Sequence, residues 1–341
     1  MKKWHLVIIA LAILALSCEK KKEPDTPEEH TEEPVPVIPP EPEPDPSHEG
    51  LGIKTAAELR AFLANPNAEI AYLAGDIDLE GESSSASEFA GNFDGCGHSI
   101  SNPGAPLFAK NSGTIENLTV TGTLTPDASV FAPVVIDNSG TVKNVTNKAS
   151  VKIKRSTAAA ESVILGGIAA QTSGPIIDCT NEANIIFTST SSVKGVAIGG
   201  IAGYQTGAIN SSTNSGNLTF IASHPAGASA IGSISSALVS MGGITGYGYS
   251  GFSITDSDNS GKVSFDFTKI ESITADSERH QIGGIAGSPC GAISGCTNSG
   301  NIHVGAVTSD RTAYATHGFI LNVGGIAGGD FYAPGQMLPT Y

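Results

Sequence analysis

The sequence predicts an all-β protein built as a parallel β-helix, a solenoid of stacked rungs, with a short capping helix at its N-terminal end. Three observations support this prediction. A Gly-Gly-Ile element recurs five times, and a second element that ends in Asn recurs between the copies. The length of the repeat varies in one segment only, which is typical of a solenoid with insertions on one side. The 41 glycines and a charged fraction of 15% favour turn-rich β structure over helices.

Residues 1–17 predict a lipoprotein signal peptide. Lys2 and Lys3 precede an apolar run from Leu6 to Leu16, which is too short to span a bilayer. The ending Leu-Ala-Leu-Ser-Cys resembles the lipobox of bacterial lipoproteins, which are cleaved before the cysteine and acylated on it. This resemblance implies that Cys18 is lipidated and that the protein binds a membrane through its N-terminal lipid.

Residues 18–50 predict the lipidated cysteine followed by a disordered Pro/Glu-rich tether. Residues 19–50 hold eleven acidic residues, three lysines, nine of the nineteen prolines and no aromatic residue. Such a segment cannot bury enough apolar surface to fold. We expect a solvated spacer, and an acidic binding tail is the alternative.

The charge of the chain excludes one class of partner. Phosphate contacts require clustered Lys and Arg, whereas the formal net charge here is −15. We therefore expect no binding to nucleic acid, and we expect polyanionic surfaces in general to be poor partners.

Residues 51–108 predict an N-terminal cap and the first strands. Thr55 and Glu58 have the spacing of a capping box, and Asn-Pro follows at 65–66, which predicts a helix over 56–64. Alternating apolar positions predict a strand within 69–79. A glycine-rich turn at 93–100 leads into another strand.

We predict that residues 109–341 form the β-helix repeats. The Gly pairs begin at Gly166, Gly199, Gly242, Gly283 and Gly324, and the second elements end at Asn147, Asn181, Asn214, Asn259 and Asn298. We interpret each repeat as three short strands, one at the Gly pair, one at Gly-x-Ile and one after the Asn. The Gly pairs would permit positive backbone φ angles or a close approach at a bend.

Aligning the repeats predicts columns of stacked side chains. Two aliphatic columns are Ile115, Val142, Ile176, Ile209, Ile254 and Ile293, and Val151, Ile185, Leu218, Val263 and Ile302; Phe187, Phe220 and Phe265 form an aromatic one. The five Asn residues predict a structural ladder in which each side-chain amide bonds to the next rung.

The repeats resemble the GLUG-type repeats of Bacteroidetes-like surface lipoproteins and secreted proteins, in which glycine-rich strands build a right-handed β-helix. Residues 51–108, with Ala-Gly-Asp-Ile-Asp-Leu at 74–79 and Phe-Asp-Gly-Cys-Gly-His-Ser-Ile at 93–100, are similar to the first segment of that family. The resemblance implies an outer-membrane or cell-surface location. It implies no single function, because these repeats occur in adhesins and in protease-associated regions alike.

One departure from the pattern lies at the C-terminal end. No Asn element follows the Gly pair at 324–325. Either residues 335–341 cap the solenoid, or an open rung is left as a pairing edge.

No set of residues in the sequence predicts a catalytic or metal site, and we expect no cofactor. Cys179 and Cys296 share a column three rungs apart, roughly 14 Å at the strand spacing, which excludes a disulfide between them. A pairing of Cys290 with Cys296 stays open. Asp178 and Asp256 share a column with Ser211 between them, a weak match to the paired acids of a glycosidase. His98, His280, His303 and His317 are scattered, without the spacing of a triad.

Binding is the activity that the sequence favours. Tyr204, Tyr247 and Tyr249 are candidate ligand contacts, either as an aromatic platform or as a turn ladder that only covers backbone. Excursions at about 221–238, 266–280 and 305–319 are candidate recognition loops. We expect a non-catalytic, adhesin-like surface lipoprotein that binds a host or bacterial glycan or a protein. The alternatives are a polysaccharide-degrading enzyme of lyase or glycosidase type, and a structural cell-envelope protein.

Overall fold

The computed structural model describes residues 50–67, 69–157, 161–191, 193, 195–222, 237–267, 279–289, 291–306 and 320–328. They belong to the compact unit Asp45–Tyr341. The predicted signal peptide, Cys18 and the tether before Gly50 lie outside the described residues, as do most of the three predicted excursions.

The helix α1, Ala56–Ala64, begins at a complete capping box. The Thr55 side chain accepts a hydrogen bond from the backbone N–H of Glu58 at 3.2 Å, and the Glu58 carboxylate accepts one from the backbone N–H of Thr55 at 2.9 Å. The inner face buries Leu59, Phe62 and Leu63. The predicted bounds of 56–64 are therefore confirmed.

The strands of the described residues are short. The first are β1 Leu51–Ile53, β2 Ile70–Leu73, β3 Ile77–Asp78, β4 Asn92–Asp94, β5 Ser99–Ser101, β6 Phe108–Asn111, β7 Thr114–Leu124, β8 Val130–Phe131, β9 Val135–Asn138 and β10 Thr141–Arg155. They continue as β11 Val163–Gly166, β12 Ala169–Thr172, β13 Ile176–Ile177, β14 Thr180–Asn181, β15 Ile185–Ser189, β16 Val196–Gly199, β17 Ala202–Gln205, β18 Ala208–Asn210, β19 Thr213–Asn214 and β20 Leu218–Ala222. The last are β21 Ala237–Gly242, β22 Thr245–Gly248, β23 Ser253–Thr255, β24 Asp258–Asn259, β25 Val263–Phe267, β26 Arg279–Gly283, β27 Ala286–Ser288, β28 Ala292–Ser294, β29 Thr297–Asn298, β30 Ile302–Ala306 and β31 Ile320–Gly324.

These strands form three parallel sheets. Sheet 1 has 19 strands: β1–β5, β7, β10, β13–β15, β18–β20, β23–β25 and β28–β30. Sheet 2 has six, β8, β11, β16, β21, β26 and β31, and sheet 3 has six, β6, β9, β12, β17, β22 and β27. Each later rung runs from sheet 2 through sheet 3 to sheet 1. The fold is therefore the parallel β-helix that the sequence predicts.

The interior consists of the predicted columns. Val142 pairs in register with Ile115 and Ile176, and the same register continues to Ile293. In the aromatic column, the Phe220 ring stacks on Phe187 and Phe265, with ring centroids 5.0 and 5.2 Å apart. At the N-terminal end, the Phe62 ring of α1 stacks on Phe93 at 5.6 Å, so the helix covers the first rungs.

The Gly pair ends one strand and begins the predicted bend. Strand β11 has Gly166 as its last residue in sheet 2, and β12 begins at Ala169 in sheet 3. The pair therefore marks a corner between two sheets. Its glycines have no positive φ, and instead they permit close approach, because a β-carbon on Gly167 would lie 2.6 Å from the Cγ of Asn181. The two recurring motifs of the sequence pack against each other.

Candidate functional site

The asparagine column forms a continuous buried ladder. The side-chain N–H of Asn147 donates to the Oδ1 of Asn181 at 2.8 Å, and the links from Asn181 to Asn214, from Asn214 to Asn259 and from Asn259 to Asn298 each measure 2.7 Å. Each amide also donates to the carbonyl two residues further on, such as that of Gly216 at 2.9 Å from Asn214. Asn147, Asn181 and Asn214 are fully buried, so their polar groups are satisfied inside the solenoid.

A second ladder lies in sheet 3 and was not predicted. Asn111 donates to Asn138 at 2.8 Å, Asn138 donates to Thr172 at 3.0 Å, and Gln205 occupies the next rung. Three different residue types share this column, which hides it from a search for repeated residues. In β6, β9, β12 and β17 a polar side chain follows three residues after a buried position, as Asn138 follows Val135, and this spacing was the available signal.

The two aspartates that could suggest hydrolysis occupy a corner column. Asp178 and Asp256 have φ angles of 52° and 48°, and the other members are Asn117, Asn144, Ser211 and Gly295, with φ angles from 50° to 64°. This left-handed conformation is adopted most readily by Gly, Asn and Asp. The backbone conformation therefore explains why acids are found here.

The cysteines serve the core or the corners. Cys179 is fully buried, its thiol donates to the Ile177 carbonyl at 3.3 Å, and burial raises the pKa of the thiol to about 12. A thiol with such a pKa is a poor nucleophile at neutral pH. Cys179 and Cys296 are free thiols. The pairing of Cys296 with Cys290, which lies outside the described residues, is therefore not formed, and the Cys296 thiol donates to the Ser294 carbonyl at 3.3 Å.

The histidines fall into two kinds of environment. His280 is fully buried beside Phe265, with ring centroids 5.6 Å apart, and burial lowers its pKa to about 3. His98 lies 3.6 Å from the Asp76 carboxylate and His303 lies 3.1 Å from Asp266. His317 lies outside the described residues.

The two exposed histidine pairs have a hydroxyl nearby but in the wrong order for a triad. The Ser99 hydroxyl donates to Asp76 at 3.0 Å, and the Ser264 hydroxyl donates to Asp266 at 2.8 Å. In each set the carboxylate stands between the hydroxyl and the imidazole, whereas a triad places the imidazole in the middle. The Ser99 backbone N–H, which donates to Asp76 at 2.7 Å, holds the pKa of that carboxyl below its ordinary value.

The tyrosines lie outside the main core. The rings of Tyr204 and Tyr247 are in register on successive rungs, 5.7 Å apart and 5° from parallel, and they pack with Ala197. Tyr247 is only 7% exposed, whereas Tyr249 is 55% exposed. Burial raises the pKa of the Tyr204 hydroxyl. A ligand can therefore reach Tyr249 more readily than the face of the stacked pair.

Two kinds of feature are absent from the described residues. No group of three or more His, Cys, Asp or Glu side chains there could hold a metal ion. No helix in that part of the chain is long and apolar enough to cross a membrane.

Comparison with known proteins identifies the architecture. No protein family matches the sequence, and no curated protein is similar to it. A Bacteroides ovatus protein, provisionally named an immunoglobulin A1 protease, has a crystal structure that matches 80% of this chain and 83% of its own, with a TM-score of 0.53 and 18% identity. The chain shares its β-helix fold.

A second solved structure, named IgA1 protease, matches the same share of this chain with a TM-score of 0.52 and 15% identity. The match covers 21% of that longer protein. At these identities the likeness shows the fold alone.

Proposed function

We propose that the protein is a bacterial lipoprotein, anchored through Cys18 at the outer membrane or cell surface, whose β-helix binds a ligand without catalysis. The tether would hold the β-helix away from the membrane, and the rigid stack would present its outer faces and excursions for adhesin-like contact. The lipobox-like ending and the GLUG-like repeats of the sequence support this location.

The corner column is the observation that carries the non-catalytic part of the proposal. Asp178 and Asp256 fit their positions because of backbone conformation, and Ser211 occupies the rung between them. The Cys179 thiol and the His280 imidazole are buried in the interior. These side chains support the solenoid, which argues against the polysaccharide-degrading alternative.

A second candidate comes from the fold comparison. Both similar structures bear the name of an immunoglobulin A1 protease, and in the longer one the matched β-helix is a fifth of the chain. By analogy with these proteins, the second candidate function of the β-helix is to bind immunoglobulin A1. This candidate is also a binding function for the described residues.

One experiment separates these functions. The purified full chain is incubated in detergent with a panel of immobilised host and bacterial polysaccharides and with immunoglobulin A1, and both retention and new chain ends are measured. We expect retention on one ligand without new ends. New polysaccharide ends would overturn the non-catalytic proposal, and retention on immunoglobulin A1 alone would favour the second candidate. Retention on none of them would contradict both.

The membrane anchor has its own test. Replacing Cys18 with Ser should move the protein from the membrane fraction to the soluble fraction of the cells that produce it. Membrane association of the Cys18→Ser variant that still requires detergent for release would contradict lipidation at this residue.

A further inference from the structure

Strand β10 concentrates positive charge in an acidic protein. Its fifteen residues include Lys143, Lys148, Lys152, Lys154 and Arg155 and no acidic residue. The whole chain has a formal net charge of −15. Because salt screens charges beyond about 8 Å, a ligand responds to this local concentration more than to the distant acids.

The two ends of the strand differ in their surroundings. Lys143 lies in register with Glu116, and the ammonium of Lys148 is 3.3 Å from the Glu182 carboxylate. Within the described residues, neither Lys152 nor Lys154 forms an ion pair. The C-terminal end of β10 therefore keeps its positive charge uncompensated by contact.

This end of β10 borders a groove of about 670 Å³. It is lined by Lys152, Lys154, Arg155, Ile153, Ser156, Thr157, Ile186, Thr188 and the segment 125–127. Asp127 is the acidic residue of this lining. Three cations thus face one acid across a space that is large enough for a small oligosaccharide.

The groove exists because one rung is shorter than the next. The pairing of β10 with β7 ends at Val151, opposite Leu124, whereas its pairing with β15 continues to Arg155. The missing length of β7 leaves the outer side of residues 152–155 beside open space. At the far end, the Arg155 guanidinium donates to the Ser129 hydroxyl at 3.0 Å.

Arg155 also provides an unsatisfied donor. Its Nε atom is buried and has no hydrogen-bond partner. Leaving a buried charged donor unsatisfied costs free energy.

We propose that this groove binds the carboxylate or sulfate groups of an acidic oligosaccharide. The lysines and Arg155 attract the anionic groups, and guanidinium and ammonium donors form charge-assisted hydrogen bonds with them. The hydroxyls of Thr125, Thr157 and Thr188 match the hydrogen-bonding groups of a sugar. This assignment rests on the proposed binding function and specifies its ligand class.

The dimensions favour a saccharide over an acidic peptide. A peptide that extends a sheet needs a run of free strand edge, because main-chain hydrogen bonds supply its affinity. The edge here spans only residues 152–155, between the paired Val151 and the Arg155–Ser129 contact. A discrete anionic group on a sugar ring needs no such run.

The test uses the full chain in detergent and three probes: tetragalacturonate, its neutral methyl ester and a tetraglutamate peptide. Binding is measured by calorimetry at low ionic strength. We expect tetragalacturonate to bind, its methyl ester to bind at least about tenfold more weakly, and added salt to weaken the binding. If tetraglutamate binds more strongly than tetragalacturonate, the ligand class is an acidic peptide and the saccharide proposal is wrong. If the methyl ester binds as strongly as tetragalacturonate, the groove does not recognise the charge of the ligand.

The variants locate the site. The double variant Lys152→Gln and Lys154→Gln should lose at least about tenfold in affinity for tetragalacturonate. The matched control, Lys143→Gln and Lys148→Gln, removes the same charge from the same strand and should lose less than about twofold. Equal losses would show a general charge effect and overturn the site.

The result also separates this inference from the proposed function. If tetragalacturonate does not bind but a neutral polysaccharide of the panel is retained, the binding function stands and the basic groove is not its site. If tetragalacturonate is shortened during the measurement, the non-catalytic proposal fails instead.

Discussion

Two columns of sheet 1, three residues apart, follow different rules. The ladder column holds Asn at five successive rungs, and Asn147, Asn181 and Asn214 are fully buried. The corner column holds Asn, Asp, Ser and Gly, all with left-handed φ angles. The ladder column has a single residue type, whereas the corner column has four.

The difference shows what each position requires. A buried ladder position requires a side chain that donates to one rung and accepts from the other, and Asn does both with little conformational freedom. A corner position requires a backbone conformation, so any residue that tolerates it is acceptable. A varied column therefore indicates backbone selection, and acids within it are weak evidence for catalysis.

The largest expected loss of stability comes from substituting a glycine that faces the ladder. In Gly200→Ala, the new β-carbon would overlap the Asn214 side chain and the Gly243 carbonyl. We expect the free energy of unfolding to fall by at least about 3 kcal/mol, because buried backbone must move. Urea denaturation measures this change. Gly325→Ala is the matched control: among the described residues, nothing lies within 4 Å of its added β-carbon, so a similar loss there would contradict the packing argument.

The second largest loss of stability is expected for a substitution in the Asn ladder. Asn214→Ala removes bonds to Asn181, Asn259 and Gly216 and leaves a buried donor of Asn181 unsatisfied. The expected loss in the free energy of unfolding is about 2 to 3 kcal/mol. In the corner column, Ser211→Asn should be neutral or stabilising because Asn tolerates the left-handed conformation. If the two variants melt alike, the distinction between the columns is wrong.

A third column adds a test by pH. His280 lies between Val239 and Leu321 in the core of sheet 2, and its pKa is lowered to about 3 from an ordinary value of 6.5. Between these values the unfolded chain binds the proton more strongly, so stability is present above pH 6.5 and is lost as the pH falls toward 3.

The size of that loss can be estimated and removed. At pH 5 it should amount to about 2 kcal/mol relative to neutral pH. His280→Val restores the residue type of the preceding rungs and should flatten this part of the pH profile in urea denaturation. An unchanged profile in the variant would place the acid sensitivity elsewhere.

The smallest effect is expected at the corner acids. The double variant Asp178→Asn and Asp256→Asn keeps residues that tolerate positive φ, so the free energy of unfolding should change by less than about 0.5 kcal/mol. Its retention on polysaccharides and the absence of new chain ends should match the unchanged protein. A cleavage activity that this variant lacks would identify the two acids as catalytic.

The fold was predictable because its evidence repeats along the chain. The recurrence of Gly-Gly-Ile and of the Asn element sets the register, and a register of parallel rungs places each column by spacing alone. The start of α1 was predictable because the two partners of its capping box, Thr55 and Glu58, lie within one turn of each other in the sequence.

The candidate sites were less predictable because they depend on contacts that do not repeat. Nothing in the spacing shows that β7 stops at Leu124 while β10 continues to Arg155, so the basic groove was missed. The net charge of the chain argued against anionic ligands, because a total charge does not show where the positive residues lie. The sheet 3 ladder was missed because Asn111, Asn138 and Thr172 do not repeat one residue type.

The sequence by itself determined the stacking of rungs, the inward columns and the capping helix, because local patterns and recurring motifs carry that information. Tertiary structure decided that the Gly pairs are corners packed against the Asn ladder, that Asp178 and Asp256 occupy left-handed turns, and that three cations border one groove. The physical reason is that backbone conformation at a corner and the ends of neighbouring strands are set by the packing of different rungs on one another, which no single repeat encodes.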